Sequence, residues 1–350
     1  MTPYSAIALQ LAAQSVEQVA DTAAARGQIM AQISALEPKI RSARIFVEQY
    51  GGLGVKLVVL PEYLFTSYPG RITIPDFAAR AGFASDGPEY AALSGIAQRL
   101  GLFIAGNAYE TDRHFPDFYF QTSFIVAPSG DVVLRYRRLL SMFAPSPHDV
   151  FDRYLDAYGA DALFPVADTT IGRLAAIASE EILYPEIARC LAFKGAELFC
   201  HSSSEIGSPL ATAKDTAKRA RAFENAAYVV SANTAGITGS ALPLMSADGN
   251  SQIVGPTGKL LAQSGSGETF TAFAEIDIAH LRQQRRQPAM VNGLARQRPD
   301  LFAPAYAAAA ESFQTGNQML SHGQPQVPDR DQFLKMQRDV IEKLSKAGVI

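Results

Sequence analysis

Short apolar runs, each paired with a helix-spaced apolar stripe, recur along the first two thirds of this chain and dictate a layered α/β fold. Over 27–50 the residues Ile29, Ile33, Leu36, Ile40, Ala43, Val47 and Tyr50 fall at helical spacing and define one buried stripe. Pro38 interrupts that pattern and is expected to kink or divide the helix. Gly51 and Gly52 stop it, and 55–60 then reads as a strand buried on both faces. The same events repeat as a helix over 90–100, a stop at Gly101 and a strand over 102–105. A strand over 174–178 leads to a helix from Pro185, a stop at Gly195 and a strand over 197–200. A helix over 213–227 precedes a strand over 228–232, and 5–11 and 270–276 read as the first and last strands. Hairpins are expected where 120–127 and 132–136 flank Ser129-Gly130, and where 252–254 and 259–262 flank Pro256-Thr257-Gly258. Helices that alternate with buried strands, interrupted by hairpins, imply a mixed sheet covered by helices.

With 48% hydrophobic residues in 350, the chain can bury the core of one large α/β domain, read here as residues 1–310. After Ala310, Gln, Gly, Pro and Asp become frequent up to Arg330, and 333–344 is a charged amphipathic helix. Residues 311–350 are therefore read as an arm outside the core that contacts a partner subunit. Basic and acidic residues nearly balance, with a net charge of -3, which argues against a nucleic-acid or membrane-surface partner. No apolar run approaches the ~20 residues of a membrane helix. The stretch from Met1 to Leu11 lacks a basic region before an apolar core, so a cytoplasmic protein is expected. Cys190 and Cys200 fit no metal or redox spacing, and His114, His280 and His322 have no partner motif, so neither metal nor cofactor is expected.

Three residues at or just past strand ends could carry chemistry. Glu62 directly follows Leu57-Val58-Val59-Leu60-Pro61, where open α/β sheets place their ligands. Partial burial there suits a carboxylate to general-base work, although a loop or helix cap would look the same. Ser179 closes its strand before a turn, a recurrent way to expose a reactive oxygen, and also an ordinary place for a capping serine. Arg138 ends the second arm of a hairpin and, taken alone, reads as a surface residue.

Together their contexts match one family. Val58-Val59-Leu60-Pro61-Glu62, with Tyr68-Pro69 beyond it, resembles the first-motif glutamate of the nitrilase superfamily, the carbon–nitrogen hydrolases. The hairpin from Gly130-Asp131 to Tyr136-Arg137-Arg138 is similar to the second motif, which ends in Tyr-Arg-Lys. The run from Gly172 through Ser179-Glu180-Glu181 to Tyr184-Pro185-Glu186 resembles the third, where a cysteine, an aromatic residue and an acid precede Pro-Glu. Arg221-Ala222-Phe223-Glu224-Asn225, Asn233, Gly249-Asn250-Ser251, Pro256 and Gly258 match downstream landmarks in order.

The resemblance implies a four-layer αββα sandwich that pairs with a second copy as a homodimer or higher homo-oligomer. It also implies a triad acting on a small-molecule substrate: glutamate as base, cysteine as nucleophile on a nitrile or amide carbon, lysine at the oxyanion. This chain departs from it with Arg138 for lysine, Ser179 for cysteine and Glu180 for the aromatic residue. Arginine still stabilises an oxyanion but cannot shuttle a proton at neutral pH. A serine hydroxyl must lose its proton as it attacks, so it depends on a tuned base. Tyr63, Tyr136, His148 and Glu180 are expected at the pocket wall. Cys200 and His201 are adjacent on one strand and face opposite ways, so they read as packing or lining rather than as a pair. The expected activity is hydrolysis of a C–N bond. The alternatives are a catalytically silent homologue that binds a small molecule or assembles with a partner, and proton chemistry by Glu62, Glu180 and Glu181.

Overall fold

The computed structural model describes residues 1–205 and 212–350. The opening strand β1 (Tyr4–Ala8) is followed by helix α1 (Thr22–Gly51), and then by β2 (Val55–Val59) parallel to β1. Asp21 caps α1 by accepting from the Ala24 N–H, so the helix begins before the apolar stripe does. Ile29, Ile33, Leu36, Ile40, Ala43 and Val47 are buried along it, whereas Tyr50 is 77% exposed. Pro38 does not divide α1, which runs on through it. Each buried Ile or Leu contributes about 1.5–3 kcal/mol, which outweighs the one helical bond a proline removes.

Helices α2 (Ile74–Ala81) and α3 (Pro88–Leu100) lead to β3 (Phe103–Asp112), parallel to β2, with Val58 opposite Ile104. β4 (Phe115–Val126) and β5 (Val132–Arg137) then fold back antiparallel. β3 runs well past the expected 102–105, since buried Asn107 and Glu110 belong to the ladder, and β4 starts at Phe115, before the expected 120–127. Helix α4 (Phe151–Tyr158) precedes the second sheet. Its strands follow in chain order: β6 (Ala167–Thr169), β7 (Gly172–Ala178), β8 (Leu198–Ser203), β9 (Tyr228–Asn233), β10 (Gln252–Val254) and β11 (Leu260–Gln263). β7, β8 and β9 are parallel, with α5 (Pro185–Phe193) and α6 (Ala213–Asn225) as their crossovers. β12 (Phe273–Ile276) returns to pair with β1 and completes two six-stranded sheets.

Strand alternation sorts the core. Ile7, Val58 and Ile104 pack with the residues of α1 and α3, while Ala6, Leu57, Val59, Phe103 and Ala105 pack with Ala176, Ile177 and Phe199 of the second sheet. The result is the expected four-layer αββα sandwich. After α7 (Ile278–Arg285) and α8 (Pro299–Ala309), the remaining chain ends in α9 (Arg330–Lys346). Met319 and Phe333 of this segment are buried in the core cluster of their own chain, on the side of α2 and α4. Among the described residues, no helix is long and apolar enough to cross a membrane.

Candidate active site

The parallel strands of both sheets end at the same end of the sandwich. Glu62 follows β2 and Pro61, and the chain turns sharply there, with Tyr63 in the left-handed region at φ 37°. Such a conformation costs a non-glycine residue about 1–3 kcal/mol and persists only where surrounding contacts impose it. One imposing contact is the Tyr63 N–H, which donates to Asn107 Oδ1. Glu62 is 2% exposed, and both its oxygens accept hydrogen bonds, Oε1 from Gln121 Nε2 and Oε2 from Ser204 Oγ, each at 2.6 Å.

Arg138, just past β5, reaches the same carboxylate. Its Nη1 lies 3.7 Å from Glu62 Oε1 and donates to Gln121 Oε1 at 2.6 Å, while Nη2 pairs with Glu180. Its Nε donates to the Leu140 carbonyl at 2.8 Å, which fixes the plane of the guanidinium. Burial opposes the Arg138 charge, but Glu180, Glu62 and Glu181 outweigh it and hold its pKa above the usual arginine value. Gln121 thus joins base and cation through one amide, and its second N–H donor reaches Asn107 Oδ1 at 3.1 Å.

Ser179 directly follows β7 with φ 51°, a left-handed elbow at a strand-to-turn junction. Its carbonyl is 2.8 Å from His201 Nε2, and His201 Nδ1 is 2.8 Å from Ser231 Oγ. Burial, reinforced by Lys218, holds the His201 pKa well below the usual value, so the ring is neutral. A neutral imidazole facing a carbonyl carries its proton on that nitrogen, so Nε2–H donates to Ser179 and Nδ1 accepts from Ser231. Among the described residues, no group hydrogen-bonds to the Ser179 hydroxyl. The next residue, Glu180, lines the cleft, and Glu181 turns inward. Glu181 accepts from Tyr136 Oη at 2.7 Å and from the Leu139 and Leu140 N–H groups at 2.8 and 2.9 Å. Burial pushes its carboxyl up to about 7, against the opposing pull of Arg138 and these donors.

A second cation enters from the other sheet. Lys214, in the first turn of α6, places Nζ 3.4 Å from Ser203 Oγ. Burial pulls its pKa below the usual lysine range, opposed by Glu62, Glu205 and Glu180. Lys218, one turn on, is fully buried between Glu205 and Asp215.

Glu62, Tyr63, Arg138 and Glu180 line one cleft of about 1040 Å³. Ser179 is not among the residues that line it, although the next residue, Glu180, is. Tyr136 and His148 lie elsewhere. Tyr136 is one pleat repeat deeper than Arg138, fully buried between the sheets, where its hydroxyl donates to Glu181. His148 packs its ring against Phe151 and gives its carbonyl to the Asn317 N–H. Cys200 is buried between the layers, and burial pushes its thiol pKa well up, which leaves it unreactive. Four residues that the motifs did not mark complete the constellation: Gln121, Ser204, Lys214 and His201. Gln121 alone had a local signal, as an amide inside the run Phe118-Tyr119-Phe120-Gln121 that a buried strand must satisfy. Among the described residues, no group of His, Cys, Asp and Glu is arranged to hold a metal ion.

Known proteins resemble this chain along most of its length. The chloroplastic omega-amidase of Arabidopsis thaliana is 26% identical over 260 residues, 73% of this chain and 69% of that protein. A nitrilase of Pyrococcus abyssi is 26% identical over 258 residues, covering 74% of this chain and 90% of its own. The carbon-nitrogen hydrolase of Helicobacter pylori G27 superposes with a TM-score of 0.64 at 21% identity, over 87% of this chain and 98% of that one. The carbon-nitrogen hydrolase family model matches residues 22–286, and with three quarters of its length accounted for in this way the chain belongs to that family, the nitrilase superfamily.

Proposed function

We propose that this protein hydrolyses the C–N bond of a small amide or related compound, without a cofactor, by way of a serine ester. The observation that carries the reading is the Glu62–Gln121–Arg138 bridge, which holds a buried carboxylate and a permanent cation on one cleft floor. Glu62 takes the proton of the attacking hydroxyl, and Arg138 faces the oxygen on which negative charge develops. Ser179, on its left-handed elbow, stands where the family places its nucleophile. As the C–N bond breaks, the departing amine takes up a proton. Arg138 cannot supply it. Lys214 lies against Ser203, next to the Ser204 that bonds Glu62, and burial lowers its pKa, so we assign it that donation. Lys214 then recovers a proton from Glu62, and water attacks the ester carbonyl as Glu62, ionised again, takes its proton and returns it to the departing Ser179 oxygen. The names of the omega-amidase and nitrilase relatives support this substrate class.

A second reading is favoured by one distance: Ser204, not Ser179, has its hydroxyl on Glu62, at 2.6 Å. Ser204 is then the nucleophile, and Ser179 shapes the wall. The test is to trap the acyl-enzyme with amides, nitriles and carbamoyl compounds and to map the modified peptide by mass spectrometry. Label on Ser179, lost in Ser179→Ala, supports the first reading; label on Ser204, lost in Ser204→Ala, supports the second. Absence of turnover and of label in the native chain and in Ser179→Cys rejects the hydrolase and leaves a small-molecule-binding homologue.

A further inference from the structure

The C-terminal segment packs on its own chain and forms one wall of the cleft that holds Glu62 and Arg138. Val327, Pro328, Asp329, Arg330 and Phe333 line it directly. The anchors of this segment converge on the stretch 142–152 that follows Arg138. Asn317 and Met319 donate backbone N–H groups to the His148 and Asp149 carbonyls, each at 2.9 Å. Asn317 Oδ1 accepts from the Asp152 N–H, and Gln337 Nε2 donates to the Met142 carbonyl at 3.1 Å. The Arg330 guanidinium lies 4.2 Å over the Phe143 ring, a cation–π contact between arm and loop. Arm and loop are therefore one unit, and both contribute to the wall.

Val327 and Phe333 from the arm share that wall with Tyr68, Ile72 and Phe143, an apolar and aromatic stretch rimmed by Arg71, Asp329 and Arg330, the last stacked on Phe143. Glu62, Arg138 and Glu180 gather elsewhere in the cleft. A volume of about 1040 Å³ is at the upper end of what drug-sized ligands occupy, far beyond the needs of a two-carbon amide. We infer that the arm is a specificity element acting within its own chain, and that the preferred substrates are primary amides with a bulky apolar or aromatic acyl group. This rests on the hydrolase reading for the amide and on the cleft alone for the acyl group. The amide carbon meets the Glu62–Arg138 floor, and the acyl group lies against Val327 and Phe333.

The chain contains no tryptophan, and Val327 is 38% exposed, so Val327→Trp adds a single emitter on this wall without disturbing the core. Titrated into the full-length variant, phenylacetamide should change the emission saturably, at a concentration at least about tenfold below that needed for acetamide, the scale of one apolar contact. In steady-state assays Val327→Asp should lower the phenylacetamide-to-acetamide ratio of kcat/KM by about tenfold. Equal half-saturation for the two amides, no saturable change with either, or an unchanged ratio overturns the inference and leaves the hydrolase reading in place. Selective binding of phenylacetamide with no turnover of either amide does the reverse.

Discussion

The Ser204 hydroxyl donates to the Glu62 carboxylate across 2.6 Å and ties the end of a strand in one sheet to the end of a strand in the other. The Glu62 N–H donates to the Ser203 carbonyl beside it, so backbone and side chain both cross between the sheets. Glu62, the proposed general base, is thus held by the half of the molecule that also carries Ser179 and Lys214. Ser204→Ala leaves the buried carboxylate one donor short and should cost about 1.5–3 kcal/mol in urea unfolding, the range for hydrogen bonds to charged groups. Ser204→Thr, which keeps the hydroxyl, should recover most of it. An alanine variant as stable as the parent would show that this bond does not hold Glu62.

Gln121 bridges Glu62 and Arg138 by hydrogen bonds at both ends of one amide, shorter than their direct approach of 3.7 Å. Gln121→Leu has similar volume but can neither donate to Glu62 Oε1 nor accept from Arg138 Nη1. Turnover of the best amide should drop by about two orders of magnitude, mainly in kcat, as expected when catalytic groups shift by about 1 Å. A change confined to KM would remove Gln121 from the positioning of the base.

Lys214 makes the alkaline side of the pH profile informative. Its depressed pKa predicts that kcat falls with rising pH before an ordinary lysine would deprotonate. Lys214→Arg keeps the charge but cannot release a proton, so the rate should fall by about 10²–10⁴ and the residual rate should lose that alkaline limb. If the limb stays in place in the arginine variant, the proton comes from another group.

Glu181 couples stability to pH. Its folded carboxyl titrates at about 7. Unfolded, it titrates near about 4.3, so across that window the native state binds the extra proton. Stability from this group is therefore full below the unfolded value and declines as pH rises through the folded one, by something on the order of 3 kcal/mol. Glu181→Gln should flatten that slope between about pH 4.3 and the folded value in thermal melts. Parallel curves for the two proteins would mean that Glu181 does not set it.

The layers and the positions of Glu62 and Arg138 on one cleft were readable because each depends on neighbours in sequence. The α1 stripe, the glycine stops and the buried runs mark α1, β2 and β8 directly, and the motif around Glu62 lies within a few residues of it. Tyr50 broke the pattern because it lies in the last turn of α1, where its ring meets the edge strand at Phe273 and stays open to solvent. Tyr136 was misplaced because its motif neighbour Arg138 reaches the cleft only by leaving the strand that keeps Tyr136 inside. Ser204 is 142 positions from Glu62, and no local pattern marks a partner at that separation. Lys214 reads as one more charge on an amphipathic helix until α6 is docked against the second sheet.

That same separation bears on how the cleft comes into being. Ser202 Oγ bonds the Leu60 carbonyl and Ser204 Oγ bonds Glu62, and both contacts close loops of 142 positions. Contacts of such long range follow local helix formation, since the loop entropy must be overcome before they bring any gain. Each half of the molecule has three parallel strands of its own, but neither holds a complete site. On refolding from denaturant, helical signal should return ahead of any ability to turn over or bind an amide. The interval between them would time the meeting of the two sheets.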